Sequence, residues 1–188
     1  MDELKNYFKK DDLAASVWST KYKDEGEITP DDMHWRLAKA FAKKEFEYLK
    51  KLDKNKVKTL SYEGQKYIAE VMDLNLQELE MYFYLLFKYF KYIVPQGSIM
   101  EILGTAKIAS LSNCVVIASS YDSYSGIMYS DTQLTALFKR RCGVGQDLSN
   151  LRPTNTKVNN AAKTTSGVVS FAERFSNTTR EVAQSGRK

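Results

Sequence analysis

A few side chains in this chain of 188 residues have types and spacings suited to chemistry. Cys114 lies in the apolar run Cys-Val-Val-Ile, where a free thiol is either a redox group or, more commonly, a small buried hydrophobe. Asp122-Ser123 follows that run and fits both a ligand contact and a plain turn. Gly143-Val144-Gly145 lacks the third glycine of a dinucleotide fingerprint and the Gly-Lys-Ser/Thr of a P-loop. Lys139-Arg140-Arg141 complements a helix dipole as readily as it binds an anion. No single motif therefore decides the function.

The composition excludes several classes of protein and site. His34 is the single histidine, which excludes any site with two imidazoles, and two cysteines cannot form a zinc ribbon or a disulfide scaffold. Apolar residues make up 43% and charged residues 27%, a globular composition. The longest apolar run, Met81–Phe87, is far shorter than the roughly 20 residues of a membrane span, and the first residues do not resemble a secretory signal. We expect a soluble, cytoplasmic protein without a membrane partner.

The charge is unevenly distributed. Residues 1–95 carry 17 basic and 17 acidic side chains, whereas residues 96–188 carry 11 basic and 6 acidic ones and supply the whole net charge of +5. A positive field confined to one half favours a polyanionic ligand, such as a nucleotide, a nucleic acid or a phosphate-bearing metabolite. A solvated helix face explains the same charges without any ligand, and the composition leaves both interpretations open.

The first half of the chain has the pattern of helices. Thr29-Pro30-Asp31-Asp32 combines a threonine cap, a proline in the first turn and acids at the positive end of the dipole, so it predicts a helix to about Lys51. Two further helices are predicted over Tyr62–Met72 and Leu76–Tyr92. Core packing is the expected role of Trp18 and Trp35 and of the aromatic series Tyr82, Phe83, Tyr84, Phe87, Tyr89, Phe90 and Tyr92.

The pattern changes at Pro95. Ser112–Ala118 has the β-type composition of one buried strand, with a second, weaker run over Lys107–Leu111. Tyr121–Gly126 predicts a turn. Ser130 and Gln133 have capping-box spacing and predict a helix to about Arg141, which ends before Gly143 and Gly145.

A polar loop to about Thr165 precedes a last predicted helix, which begins near Ser166. Its apolar face is predicted from Val168, Phe171, Ala172, Phe175, Val182 and Ala183.

These elements predict an α+β chain with an all-helical domain over residues 1–94 and the start of an incomplete α/β barrel over residues 95–188. A lone strand leaves both of its edges unpaired, and one or two strands are too few to bury two amphipathic helices. We therefore expect the sequence to be the N-terminal part of a larger protein.

Four segments resemble the large catalytic subunit of ribonucleotide reductase in their sequence, in their order along the chain and in the spacing between them. They are PQGSIMEILGTAKIASLSNCVVI, DSYSGI, LFKRRCGVGQDLSNLRP and SGVVSFAERFSNTTREVAQSGR, which together run from about Pro95 to Arg187. The stretch EITPDDMHWRLAKA is similar to the N-terminal helical domain of that family, at lower specificity.

The resemblance implies catalytic and substrate-binding roles for three residues. Cys114 matches one of the two active-site thiols that supply electrons for ribose reduction and end as a disulfide, a role that requires an accessible sulfur. Ser98 and Asn113 match positions that contact the phosphate or ribose of the substrate. Cys142 is not the second thiol, and it stands where the family commonly has glycine or another small residue.

The resemblance also implies a regulatory site for a deoxynucleoside triphosphate or ATP. Asp122, Ser123 and Tyr124 match the segment that holds the sugar and base of this effector, and Lys139 and Arg152 match its triphosphate contacts. Carboxylate to hydroxyl and cation to phosphate are chemically sensible pairings. Asn159 and Asn160 match the loop that closes over the effector.

The family's other components are expected as partners. The helices over Thr132–Arg141 and Ser166–Ala183 resemble those of a four-helix homodimer contact. The complete enzyme needs a radical source, either a small subunit with a diiron or dimanganese centre or adenosylcobalamin, and takes electrons from thioredoxin or glutaredoxin. No metal or cofactor is expected to bind this chain directly. Lys188 replaces a usual arginine.

Two expectations concern what this sequence does by itself. The radical-bearing cysteine of the family is not found, so we expect the chain alone to be inactive as a reductase. We also expect the family's N-terminal ATP-binding cone to be absent, because the sequence opens directly into the helical domain.

Two other functions compete with a role in ribonucleotide reduction. The first alternative is a stand-alone module that binds deoxynucleoside triphosphates or dimerises without catalysis. A nucleic-acid binder is disfavoured because no basic stripe with interleaved stacking aromatics is present.

Overall fold

A computed structural model describes residues 2–182 of the chain, which form two compact units that divide between Ala106 and Lys107. Ala183 and Lys188, both included in the predictions above, lie outside the described residues. The fold is α+β, as predicted: the first unit is helical, and the second contains a small parallel sheet.

In the described residues, the first unit contains seven α-helices and a short 3-10 helix at Lys88–Phe90. The α-helices are α1 (Asp2–Tyr7), α2 (Asp12–Lys21), α3 (Pro30–Lys50), α4 (Lys54–Val57), α5 (Tyr62–Val71), α6 (Leu76–Phe87) and α7 (Gly97–Ile102). The predicted start of α3 is confirmed. Its first turn is closed because Asp32 Oδ2 accepts hydrogen bonds from the backbone N–H groups of Ile28 (2.8 Å) and Thr29 (2.9 Å).

The core of the first unit forms where α3 packs against α6. Met33 and Leu37 are fully buried, and they contact Trp18, Tyr84, Phe87 and Met100. Trp35 stacks on Tyr84, with ring centroids 4.1 Å apart. The predicted core role therefore holds for both tryptophans and for the central part of the aromatic series.

The helix predicted to reach Tyr92 ends at Phe87. Tyr89 and Phe90 adopt positive φ values of 56° and 54°, which are incompatible with a continuing α-helix. The chain turns back so that the Ile93 N–H donates to the Leu86 carbonyl at 3.2 Å. The prediction that Tyr89 and Tyr92 lie in the core is wrong, because their side chains are 63% and 66% exposed.

The segment after Pro95 packs with the helical unit through Arg36. Arg36 Nε donates to Glu27 Oε1 at 2.7 Å, while its Nη1 and Nη2 donate to the carbonyls of Leu103 (2.5 Å) and Met100 (2.9 Å). These bonds explain why the compact units divide after Ala106. The domain boundary that the sequence places between residues 94 and 95 stays a prediction.

The second unit contains β1 (Cys114–Ile117), α8 (Tyr124–Phe138), β2 (Gly143–Gln146) and α9 (Val168–Glu181). The two strands pair in parallel, with Cys114 opposite Gly143 and Ile117 opposite Gln146. Ile117 and Val144 face a core made by α8 and α9, whose buried members include Ile127, Phe138 and Phe175. The strand predicted over Ser112–Ala118 is thus confirmed as β1, but the prediction that it is buried is wrong, because Cys114 is exposed and Val116 is 84% exposed.

Three further predictions for the second unit are wrong. The weak strand at Lys107–Leu111 does not form, and the second strand is instead β2, which contains the two glycines that were expected only to end a helix. The turn predicted over Tyr121–Gly126 is helical from Tyr124 onward. The N-cap predicted at Ser130 lies seven residues earlier in sequence, at Ser123, and Ser130 is buried inside α8.

No helix among residues 2–182 is both long enough and apolar enough to cross a membrane. Nor does this part of the chain bring together three His, Cys, Asp or Glu side chains that could hold a metal ion.

A buried histidine makes the first unit sensitive to acid. His34 is fully buried, its Nδ1 lies 3.5 Å from the Tyr7 hydroxyl and 3.8 Å from Asp31 Oδ1, and its Nε2 has no hydrogen-bond partner among the described residues. Burial lowers its pKa from 6.5 to about 4, although the carboxylates of Asp31 and Glu27 oppose this shift. The folded state therefore holds the imidazole neutral.

We expect the stability of the first unit to fall as the pH drops from about 6.5 towards about 4, because the unfolded imidazole binds a proton that the folded one does not. The free energy of unfolding should decrease by about 2 kcal/mol between pH 7 and pH 5 from this group alone. Urea unfolding followed by tryptophan fluorescence isolates the first unit, since Trp18 and Trp35 both lie in it. His34→Leu should remove this part of the pH dependence. An equal pH dependence in the variant and the wild type would contradict the assignment.

Candidate functional site

A cavity of about 220 Å³ lies beyond the carboxyl end of β1, beside the first turn of α8. The loop after β1, the loop after β2 and the start of α9 all contribute to its wall. Its lining residues are Asp122, Ser123, Tyr124, Ile127, Arg152, Val158, Asn160, Thr165 and Phe171.

An ion pair joins the two loops at this cavity. Arg152 Nε donates to Asp122 Oδ2 at 2.5 Å, the Arg152 backbone N–H donates to Asp122 Oδ1 at 3.4 Å, and Arg152 Nη2 donates to the Asp122 carbonyl at 3.4 Å. The two side chains are each about one-third exposed, at 34% and 32%, so a ligand in the cavity can reach them. We call these two residues the Asp122–Arg152 clasp.

Ser123 positions the first turn of α8 at the cavity. Its Oγ accepts a hydrogen bond from the Gly126 N–H at 3.1 Å, which caps the helix. Gly126 is required for this close turn, because a Cβ there would lie 2.7 Å from the Tyr121 carbonyl oxygen. The cavity therefore faces the positive end of the α8 dipole, which favours an anionic ligand.

Two aromatic rings form the apolar wall. Tyr124 and Phe171 meet edge to face, with centroids 6.2 Å apart and an interplanar angle of 76°. The Tyr124 side chain is 62% exposed, so much of its ring is accessible to a planar ligand. Phe171 was predicted only as a core residue, and no local sequence signal distinguishes it from its apolar neighbours on α9.

A buried polar network supports the same edge of the sheet. Gln146 Nε2 donates to Ser120 Oγ at 2.6 Å, and the Ser120 hydroxyl donates to Ser130 Oγ at 2.7 Å. These bonds connect the residues after β1 to β2 and α8. Because Ser120 and Ser130 are almost fully buried, their hydroxyls depend on these partners.

The loop over residues 153–166 closes one side of the cavity as an irregular hairpin. Backbone bonds join Asn155 to Thr165 (3.0 Å) and Val158 to Lys163 (2.9 Å). Asn160, at the tip, accepts from the Ala162 N–H at 3.0 Å through Oδ1. The hairpin thereby carries Val158, Asn160 and Thr165 to the cavity wall, and Thr165 is a lining residue that the sequence did not identify.

Five of the seven predicted effector-binding residues line this one cavity, and they are Asp122, Ser123, Tyr124, Arg152 and Asn160. Asn159 is exposed but is not part of the lining. Lys139 follows the last residue of α8, a helix of 15 residues that is about 22 Å long. Its predicted triphosphate contact thus stays a prediction, because the cavity lies at the opposite end of the helix.

The predicted catalytic thiol lies at the other end of β1. Cys114 is the first residue of the strand and is exposed, and both of its same-face neighbours on β2, Gly143 and Gly145, lack side chains. The Asn113 carbonyl accepts from the Gly143 N–H at 2.7 Å and continues the strand pairing. Cys142 is fully buried. Of the two thiols, only Cys114 is therefore accessible to a reaction partner.

The third predicted substrate or catalytic position is in the first unit. Ser98 lies in α7 and is 5% exposed. Its predicted contact with substrate stays a prediction, as does that of Asn113.

Residues 112–188 match the family model of the ribonucleotide reductase barrel domain, which covers 77 of the 188 residues. No curated protein matches the chain. The match includes both strands, α8, α9 and every residue that lines the cavity. The resemblance to the ribonucleotide reductase large subunit is thereby confirmed for this segment.

The hairpin that closes the cavity depends on Gly167. This residue has φ of +83°, and a Cβ on it would lie 2.3 Å from the Thr154 backbone nitrogen. We expect Gly167→Ala to destabilise the second unit by more than about 2 kcal/mol, because backbone strain and a clash act together.

Gly26 provides a matched control, since it has φ of +84° but nothing within 4 Å of its Cβ position. Gly26→Ala should cost only the strain of a left-handed alanine, about 1–2 kcal/mol. Far-UV circular dichroism during urea unfolding measures both changes. Equal destabilisation by the two substitutions would show that the contact with Thr154 contributes nothing.

Proposed function

We propose that this chain serves in a ribonucleotide reductase catalytic subunit that reduces ribonucleotides to deoxyribonucleotides by thiyl-radical chemistry. In this proposal, a dithiol supplies the electrons and a deoxynucleoside triphosphate binds as a specificity effector. The observation that supports it most strongly is the match of residues 112–188 to the barrel domain, together with a cavity in the same segment that collects the predicted effector residues.

Cys114 is the proposed reductant in this chain. Replacing the ribose 2′-hydroxyl with hydrogen releases water and takes two electrons and two protons, which two thiols supply as they join in a disulfide. The exposure of Cys114 suits this role. The buried Cys142 does not suit the second thiol, so the proposal assigns that thiol to a residue other than the two cysteines of this sequence.

The cavity is the proposed effector site. Asp122 and Ser123 offer polar groups to a sugar, Arg152 offers a guanidinium to phosphate, and Tyr124 offers a ring face to a base. The positive end of α8 adds to the attraction for phosphate. Lys139 lies at the opposite end of α8, so in this proposal its contact with the triphosphate comes from a second copy of the chain.

A homodimer formed through α8 and α9 is part of the proposal. Both helices carry exposed apolar side chains, including Tyr129 and Val169, each 64% exposed. Exposed apolar side chains on neighbouring helices are typical of a surface that a second subunit covers. The radical source, thioredoxin or glutaredoxin as reductant and a cytoplasmic location are further parts of the proposal that follow from the family.

The second candidate function is a module that binds deoxynucleoside triphosphates without catalysis. One observation favours it, which is that the second unit has its own core and carries the complete cavity wall. Both candidate functions include binding of a deoxynucleoside triphosphate, so a binding measurement does not distinguish them. Substitution of Cys114 does, because only the reductase uses this thiol.

Effector binding should depend on Arg152. A deoxynucleoside triphosphate such as dTTP should raise the melting temperature of the chain, since a ligand of the native state stabilises it by mass action. Arg152→Ala should weaken binding at least about tenfold through loss of a charged hydrogen bond to phosphate. Arg180→Ala, which removes the same charge from an exposed position on α9, is the control and should keep wild-type affinity. A melting temperature that does not respond to dTTP would refute the effector site.

Reduction should depend on Cys114 and not on Cys142. In an assay supplied with a polypeptide that carries the radical cysteine, the radical source and dithiol reductant, Cys114→Ser should abolish deoxyribonucleotide product, whereas Cys142→Ser should retain it because that thiol is buried. Iodoacetamide labelling followed by mass spectrometry gives an independent measurement. The folded chain should react at Cys114 at least about 100-fold faster than at Cys142. Full turnover by Cys114→Ser, or equal labelling of both thiols, would contradict the proposed role.

A further inference from the structure

We propose that Asp122 is a positioning residue, which holds the Arg152 guanidinium in the orientation that receives the phosphate chain of a nucleotide. The inference rests on the proposed effector function of the cavity and gives Asp122 a role beyond the sugar contact that the family resemblance implies. Its basis is the geometry of the Asp122–Arg152 clasp.

The clasp occupies one particular edge of the guanidinium. A guanidinium has five N–H donors in a planar fork, and here the Nε and Nη2 side of the fork is directed at the Asp122 carboxylate and carbonyl. At the far end of the fork, one N–H of Nη1 and the second N–H of Nη2 lie parallel, and neither donates to an acceptor among residues 2–182. Such a pair has the geometry that binds a phosphate with two hydrogen bonds.

The backbone on both sides of Arg152 is also restrained. Leu151, which precedes the arginine, is 6% exposed and packs in the core of the second unit, while Pro153 follows it. The Arg152 backbone N–H itself donates to Asp122 Oδ1. An exposed arginine normally has many rotamers, and a ligand that selects one of them loses affinity to the entropy of that selection. Asp122 reduces this loss before the ligand arrives.

The proposal predicts that removal of Asp122 weakens phosphate binding, whereas the charge of the carboxylate alone predicts that its removal strengthens binding. A carboxylate beside an anion site repels phosphate, so removal of Asp122 should strengthen phosphate binding if the carboxylate acts only through its charge. If Asp122 acts only on the sugar, its removal should leave the binding of a phosphate chain without a sugar unchanged. If Asp122 orients Arg152, its removal should weaken that binding although a repulsive charge has been removed.

The test measures binding of inorganic tripolyphosphate and of dTTP to the 188-residue chain by calorimetry at constant ionic strength. We expect Asp122→Ala to weaken tripolyphosphate binding at least about tenfold. Asp122→Asn, which keeps a carbonyl oxygen to accept from Arg152 Nε, should restore tripolyphosphate affinity to within about threefold of the wild type. Rescue by asparagine distinguishes a hydrogen bond that orients the arginine from a charge effect and from general damage to the fold.

Glu173→Ala is the matched control, because Glu173 is an exposed carboxylate on α9 and does not line the cavity. It removes the same charge and should leave tripolyphosphate affinity unchanged. If the wild type binds dTTP but Asp122→Ala binds tripolyphosphate as well as or better than the wild type, the positioning role is overturned while the effector site stands. If the wild type binds neither ligand, the proposed effector site fails and this inference fails with it.

Discussion

Parallel strands place the loops that follow them at one edge of a sheet, and the candidate site depends on how this chain joins those two loops. The loop after β1 and the loop after β2 meet through the Asp122–Arg152 clasp. Ser123 then begins α8 at the cavity, and Pro153 begins the hairpin that closes it. Without the clasp, the pairing of the strands would still bring the two loops near each other, but the guanidinium would lose its hydrogen bonds to Asp122 at the cavity wall.

An ion pair that is about one-third exposed does not create such an arrangement by itself. Water screens it, and isolated surface pairs contribute about 0–1 kcal/mol. The surrounding structure supplies the rest, because Leu151 anchors one loop in the core and the bonds of Ser120 to Ser130 and Gln146 anchor the other. The clasp therefore selects an orientation between segments that packing has already fixed.

Local signals in the sequence were sufficient for some elements and not for others. Thr29, Pro30 and Asp32 lie next to one another and determine the start of α3, so that helix could be predicted. β2 could not, because two of its four residues are glycines and its pairing with β1 depends on residues about 30 positions away. The sequence predicted the cap of α8 at Ser130 and a turn at Ser123, whereas Ser123 caps the helix and Ser130 is buried inside it against Ser120. That burial depends on the fold and is not encoded in the local spacing.

The same limit applies to the site. Asp122 and Arg152 were identified by resemblance to a family, whereas Phe171 and Thr165 reach the cavity only because α9 and the hairpin fold back to it. The net charge of the second unit, which can be read from the sequence, also differs from the charge at the cavity, which depends on the fold. Residues 107–182 carry nine basic and five acidic side chains, yet the clasp at the cavity is neutral as a pair. The excess of positive charge attracts a polyanion over a distance of about one Debye length, roughly 8 Å in physiological salt. In the proposed effector site, the clasp would attract phosphate less at long range than a lone arginine, because its charges cancel, and would determine which donors meet the phosphate at contact.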